Sequence, residues 1–219
     1  MSTINARPLH AYVRFDGQGR VVAGSLILRK NKPKVGKWKE INAYECCFLS
    51  TTTTSSTTAA PIYTIGESAL GGKIAYILQE GDPGYDVNVQ HGLVATVETP
   101  TEQLMWGCTG TVISPTSSLI GTGNANTDLI TSVCIDPTIA AAFCKNLIEG
   151  GYSDWYLPSK DELNKLFLNR TAIGNFINFN YWSSTQYSAV TAWEQLFTSG
   201  VTSHAFGENT FAIRPIRSF

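Results

Sequence analysis

Charge is scarce in this chain. Asp, Glu, Lys and Arg make up 15% of its 219 residues, where about a quarter is usual for a globular protein. The formal net charge is −1 and the sequence pI is near 6.3. Bulk charge therefore gives no pull toward nucleic acid or an anionic membrane. No apolar run approaches the ~18 residues of a transmembrane helix. Met1 to His10 lacks a basic stretch followed by an apolar one, so no signal peptide is expected. Action outside a cell would then need a route other than general secretion. Cysteines number five (Cys46, Cys47, Cys108, Cys134 and Cys144), an odd count with no CxxC pair. A disulfide framework normally shows an even number, so reduced, buried thiols are the favoured reading. Pairing of Cys134 with Cys108 or Cys144 is the alternative.

Catalytic patterns are missing too. The histidines, His10, His91 and His204, have no neighbour at HExxH or HxH spacing, so no metal site and no cofactor is expected. Gly66-Glu67-Ser68-Ala69-Leu70 lacks the last glycine of a nucleophile elbow. Gly121-Thr122-Gly123 neither follows a strong strand nor opens an evident helix, which argues against a phosphate loop. Asp161 and Glu162 fit helix capping better than acid–base work. Glu208-Asn209 alone is too little for a calcium site. The chain is expected not to be an enzyme. The residual catalytic alternative is a lectin-fold oxidase using Cys134 and Cys144.

What is present is 43% hydrophobic residues, enough for a core. Residues 1–49 suggest a small β unit for attachment or oligomerisation. Its strands are expected over Leu9–Phe15, Arg20–Arg29 and Trp38–Cys46, with a turn at Asp16-Gly17-Gln18-Gly19. Three short strands make a poor isolated core. The basic residues Arg29, Lys30, Lys32, Lys34, Lys37 and Lys39 are best taken as a solvated loop. Residues 50–60 are a Ser/Thr-rich linker, expected to be extended.

Residues 61–219 form the main domain. Lys73–Leu78 and Gly92–Val97 are strand candidates, and residues 107–132 suggest a long surface excursion. Asp136-Pro137 has the residues of a helix start, with Ile139, Ala140, Phe143 and Leu147 at helical spacing and Gly150-Gly151 as the stop. Ser159 and Glu162 form a capping box for a second helix lined by Leu163, Leu166 and Phe167. Tyr181-Trp182, Ala192–Phe197 and Phe211–Ile216 complete the strands. The order strands, two helices, strands predicts an α+β fold. Arg214 and Arg217 are expected to pair with carboxylates such as Asp154 or Glu162.

Asp154-Trp155-Tyr156-Leu157-Pro158-Ser159-Lys160-Asp161-Glu162-Leu163, Tyr181-Trp182-Ser183-Ser184-Thr185, Ala192-Trp193, Phe197, Gly200 and the ending Ile213-Arg214-Pro215-Ile216-Arg217-Ser218-Phe219 stand in a recognisable order. Over roughly residues 70–219 the chain resembles the C-terminal-domain family of collagen-like bacterial adhesins and the variable proteins of diversity-generating retroelements. The resemblance implies a C-type-lectin-like domain whose last part, about Gln186 to Phe211, displays a ligand-binding surface. It implies variable, ligand-binding positions at Tyr187, Val190, Thr191, Glu194, Leu196, Thr198, Ser199, Val201, Ser203, His204 and Phe206. Trp182, Ala192, Trp193, Phe197 and Gly200 would be fixed scaffold. Randomised adenines in an AAC codon cannot yield Glu, and among Val201 to Phe211 only Glu208 falls outside the reachable set; Glu194 would need another template codon. The N-terminal unit resembles a module of phage-derived proteins of gut bacteria.

The chemistry of Gln186 to Phe211 suits binding. Aromatic rings give contact area at low entropic cost, and Ser, Thr, Asn and Gly give adaptable hydrogen bonds, as in antibody paratopes. Tyr187, His204 and Phe206 are the candidate anchors; Trp182 and Trp193 are expected in the core. The expected function is a receptor-binding protein diversified by a retroelement, at the tip of a phage tail fibre. Its partners would be a host cell-surface protein or glycan and other virion proteins, with no nucleic acid and no membrane, and a homo-oligomer, taken as a trimer, is expected. The location would be the virion or the extracellular space. A non-diversified bacterial surface adhesin is the alternative.

Overall fold

A computed structural model describes residues 10–14, 16, 18, 27–29, 38–41 and 61–219. The chain divides into two compact units, Met1–Ala59 and Ala60–Phe219. In the first, β1 (His10–Arg14), β2 (Ile27–Arg29) and β3 (Trp38–Ile41) form an antiparallel sheet in the order β2-β1-β3. The expected turn is represented by Asp16, whose Oδ1 accepts the Gln18 N–H at 2.8 Å. The linker at 50–60, Cys46, Cys47 and Lys30 to Lys37 lie outside the described residues.

The second unit is α+β. Along the chain come β4 (Ser68–Ala69), β5 (Gly72–Ile77), β6 (Gly92–Ala95) and β7 (Leu104–Met105). Then follow α1 (Gly123–Val133), α2 (Ala140–Asn146), α3 (Lys160–Leu168) and α4 (Arg170–Ile173). The chain ends with β8 (Asn180–Ser188), β9 (Thr191–Leu196), β10 (Thr202–Phe206), β11 (Thr210–Phe211) and β12 (Ile216–Ser218). The strands form three antiparallel sheets, β12-β6-β5-β4, β11-β7 and β10-β9-β8. β12 brings the last residues back onto β6, with Arg217 opposite Val94. The single closing strand expected over Phe211–Ile216 is instead two short strands separated by the buried segment Ala212–Pro215.

Two helices were expected, and the described residues hold four. α1 lies where a surface excursion was predicted, and Gly123 does open a helix, with Thr122 at its N-cap. Intrinsic propensity is poor for GNANTDLITSV, and tertiary contacts override it. Ile130 is fully buried, the Asn126 amide donates to Ser117 O at 2.7 Å, and Thr127 Oγ1 accepts the Leu157 N–H at 3.0 Å. The Asn126 and Thr127 side chains thus tie the helix to segments outside it, and the Thr127 hydroxyl also donates back to Gly123 O at 2.8 Å. α2 starts later than predicted. Asp136 spends its carboxylate on a turn, accepting from the Thr138 N–H and hydroxyl at 2.8 and 2.6 Å, and Ile139 takes the N-cap. α3 follows expectation: Ser159 and Glu162 form a reciprocal capping box, and Leu163 and Leu166 are buried.

The core has two main clusters. One joins Tyr76, Leu93, Tyr156, Leu166, Tyr181 and Phe197. The other joins Trp106, Ile130, Ile139, Leu157, Trp182 and Ile213. Contrary to the reduced-thiol reading, Cys108 and Cys134 are disulfide-bonded, with Cα atoms 5.7 Å apart, a separation such bridges require. The bridge ties the 107–110 loop to the end of α1. Cys144 is free and buried, and burial pushes its thiol pKa far up.

Candidate functional site

The β10-β9-β8 sheet carries the residues predicted to bind. Its register places His204 opposite Trp193, Phe206 opposite Thr191 and Ser203 opposite Glu194. Side chains alternate between faces along a strand. Ala192, Glu194 and Leu196 therefore share one face with Ser203 and Ala205, and Ala192 and Ala205 join the core beside Trp182. Thr191, Trp193, His204 and Phe206 point the other way.

An aromatic cluster forms on that outer face. The Tyr187 ring stacks on His204 with centroids 3.9 Å apart and planes at 7°. Both meet Trp193 edge-on, at 5.2 Å from Tyr187 and 5.9 Å from His204. Lys160, the first residue of α3, holds Nζ 3.7 Å from the Trp193 ring centroid, a cation–π contact. Phe206 is 61% exposed and Tyr187 54%.

The eleven predicted positions do not form one patch. Tyr187, Thr191, His204 and Phe206 belong to the outer face, with Val190 in the adjoining β8–β9 turn. Thr198, Ser199 and Val201 are exposed at the other end, in the β9–β10 turn. Leu196 and Ser203 share the inward side, Leu196 half-buried and Ser203 exposed at its margin. Glu194 is a correction: it is 5% exposed and its Oε2 accepts from the Asn180 amide at 2.9 Å, so it faces the interior. Burial raises its carboxyl pKa, and the Asn180 bond partly opposes that rise. Trp193 is the opposite correction. It was expected in the core but is half-buried beneath Tyr187, His204 and Lys160. Alternation from the buried Ala192 was the available signal for it. Lys160 carried no signal beyond its place after the cap.

A rigid frame supports this display. Trp182 is fully buried, as expected, and its indole N–H donates to Leu104 O at 2.9 Å. The Trp106 indole donates to Ser183 O at 2.8 Å. Gln186 bridges to the 111–113 loop: its Oε1 accepts the Ile113 N–H and its Nε2 donates to Thr111 O, each at 2.7 Å. The Gly110 N–H donates to Ala189 O at 2.8 Å and the Gly107 N–H to Gly207 O at 3.1 Å. The disulfide-tethered loop thus holds both turns of the hairpin face. At the other end Gly200 has φ +82°, and a Cβ there would strike the Phe167 ring, so only glycine suits the position.

The terminal arginines are structural. Arg217 makes the expected pair, with Nε 2.7 Å and Nη2 2.9 Å from the two Asp154 oxygens. Arg214 does not pair with a carboxylate. It is fully buried, donates to Thr99 Oγ1 and to the carbonyls of Val97, Gly174 and Asn175, and lies 4.4 Å from the Phe176 ring centroid. Burial lowers its pKa to about 10. Among the described residues no group of three His, Cys, Asp or Glu could hold a metal ion, and no helix is long and apolar enough to cross a membrane.

No curated protein matches the chain. Among solved structures it is similar to a fimbrial protein from Bacteroides ovatus, at 15% identity and a TM-score of 0.43, over 66% of this chain and 43% of that one. The chain therefore spans less than half the length of that structure. Residues 95–217, which include all four helices and the whole display face, match the family of Lcl C-terminal domains, and the chain belongs to that family.

Proposed function

We propose that this protein is an adhesin-type binding protein that acts outside the cell without catalysis, and that the outer face of β8, β9 and β10 contacts its receptor. One observation carries the reading. Predicted positions Tyr187, Val190, Thr198, Ser199, Val201, Ser203, His204 and Phe206 are exposed, while the preceding Trp182 and the intervening Ala192 and Phe197 are buried. Side chains free to change thus stand on a frame that is not. The receptor class is a host cell-surface protein or glycan. Three aromatic rings and a cation supply contact area and an orienting charge, and Ser and Thr supply adaptable hydrogen bonds.

The finer reading is a C-type-lectin-like domain diversified by a retroelement, carried on a phage tail fibre whose N-terminal unit engages other virion proteins. Exposure of eight of the predicted positions supports diversification. The oxidase alternative is disfavoured because Cys134 is bonded to Cys108 and the Cys144 thiol is buried with a raised pKa, whereas reactive cysteines are accessible and acidic. Sequencing the 3′ end of the gene in many descendants of one clone tests diversification. Substitutions confined to Tyr187–Phe211, at adenines of a nearby repeat, are expected; a uniform sequence with no repeat leaves a fixed adhesin.

A further inference from the structure

β10 is an edge. It pairs with β9 and with no other described strand. The Leu196 N–H donates to Val201 O and the Gly207 N–H to Val190 O. Those bonds fix the phase of the ladder: Ser203 and Ala205 exchange backbone bonds with Glu194 and Ala192. The N–H groups of Thr202, His204 and Phe206 and the carbonyls of Thr202 and His204 therefore point away from β9 along the free edge, while the Phe206 carbonyl accepts the Asn209 N–H at 2.9 Å and closes the strand's end.

Natural edges are usually blunted by Lys, Pro, bulges or covering elements. This one reads Thr-Ser-His-Ala-Phe, with no charged or proline residue and no bulge against β9. Ser203, His204 and Phe206 are exposed, and among the described residues no hydrogen bond takes the outward backbone groups of Thr202 and His204.

We infer that the β10 edge pairs with the β10 edge of a second copy of this chain, antiparallel about a two-fold axis at His204. The edge is complementary to itself. His204 meets its counterpart as a hydrogen-bonded pair that exchanges both N–H···O bonds, and the Phe206 N–H of each copy donates to the Thr202 carbonyl of the other. With no Asp, Glu, Lys or Arg in the strand, no pair of like-charged carboxylates, lysines or arginines opposes the union, and Thr202 lies across from the exposed Phe206 ring. A foreign peptide would gain the same backbone bonds, but only a second copy carries this matching register by construction. An isologous contact of this kind closes at two copies.

The geometry has a consequence for binding. A two-fold axis normal to the sheet keeps the same face outward in both copies. The Tyr187–Trp193–His204 clusters of the two chains then lie side by side on one continuous sheet, unburied by the pairing. If that face binds a receptor as proposed above, the dimer is bivalent; the pairing itself rests on the fold alone.

The test uses the full chain. Sedimentation velocity from about 1 to 100 µM is run on the wild type, His204→Ala, His204→Pro and Thr202→Pro, with amide exchange at residues 204 and 206. Proline at an outward N–H removes no internal ladder bond, and circular dichroism confirms that each variant folds. The wild type and His204→Ala are expected to dimerise, with exchange at the two amides slowing about tenfold or more as concentration rises. Both proline variants are expected to lose that dimer. A wild type with freely exchanging amides at every concentration, or an assembly unchanged in both folded proline variants, overturns the inference. So does protection of these amides only when a foreign protein is added.

Discussion

The Tyr187 ring lies flat against the His204 imidazole, centroids 3.9 Å apart, although the two residues come from strands separated by β9. Both span the Trp193 position, and their stacking turns three separate side chains into one platform. An exposed aromatic pair of this kind is worth about 0.5–1.5 kcal/mol. Tyr187→Ala should therefore lower stability by about 0.5–1.5 kcal/mol, measured by urea unfolding. If the outer face contacts a cell-surface receptor as proposed, adsorption of the labelled chain to receptor-bearing cells should fall at least about tenfold, as for an interface anchor. A large stability loss with adsorption unchanged would make the platform structural.

Glu162 should matter more to the fold than any residue of the display face. It is fully buried. Its oxygens accept the Ser159 N–H at 2.7 Å, the Gly121 N–H at 2.9 Å and the Tyr156 hydroxyl at 3.4 Å. It closes the α3 cap and also holds the loop leading into α1. Glu162→Ala would orphan buried donors and should cost about 3 kcal/mol or more. Chemical denaturation checks this, with Asp161→Ala, at the half-buried neighbour, expected near neutral.

The capping box and the α+β order were legible as local patterns, and the core Trp182 from the usual burial of tryptophan; the Arg217–Asp154 pair, 63 residues apart, was one of several carboxylate pairings expected. α1 was not legible, since Asn126 and Thr127 tie it to Ser117 in the preceding loop and to Leu157, 30 residues from Thr127. The Cys108–Cys134 bond was hidden by the odd cysteine count. The site was half legible: sequence separated exposed from scaffold positions at Tyr187 and Phe206. It could not say that Glu194 turns inward, or that Trp193 surfaces under a lysine from another helix.

Stability should respond to pH in two directions. Burial raises the pKa of Glu162 and Glu194. A raised folded pKa means the contribution is full below the unfolded value, ~4.3, and is lost as pH rises through the folded value. Asp154 is the reverse. Its bonds from Arg217 lower its pKa, so its contribution is present above ~3.9 and is lost as pH falls through the folded value. Glu194→Gln can still accept from Asn180 without burying a charge. It should be stabilising at pH ~8 and close to neutral at pH ~4, as read from urea midpoints at both pH values. A variant destabilised equally at both would show that Glu194 is not held at a raised pKa.

Reduction of the Cys108–Cys134 bridge should loosen the display face before it unfolds the domain. The bridge spans 26 residues, for which loop-closure entropy gives about 3 kcal/mol. Its loop makes the Gly110–Ala189 and Gly107–Gly207 hydrogen bonds that hold the two turns beside Val190 and Phe206. Releasing the α1 tether frees that loop while the Trp182 and Trp106 indoles still anchor β8 to the core. In Cys108→Ser, amide exchange at Gly107 and Gly110 should speed up well before that at Trp182, whose N–H bonds Ala212 O at 3.0 Å. Receptor binding should weaken by more than the loss of global stability explains, because the free loop lets the Tyr187–His204 platform sample other positions. If exchange rises equally at all three amides, the bridge stabilises the domain as a whole and has no special hold on the face.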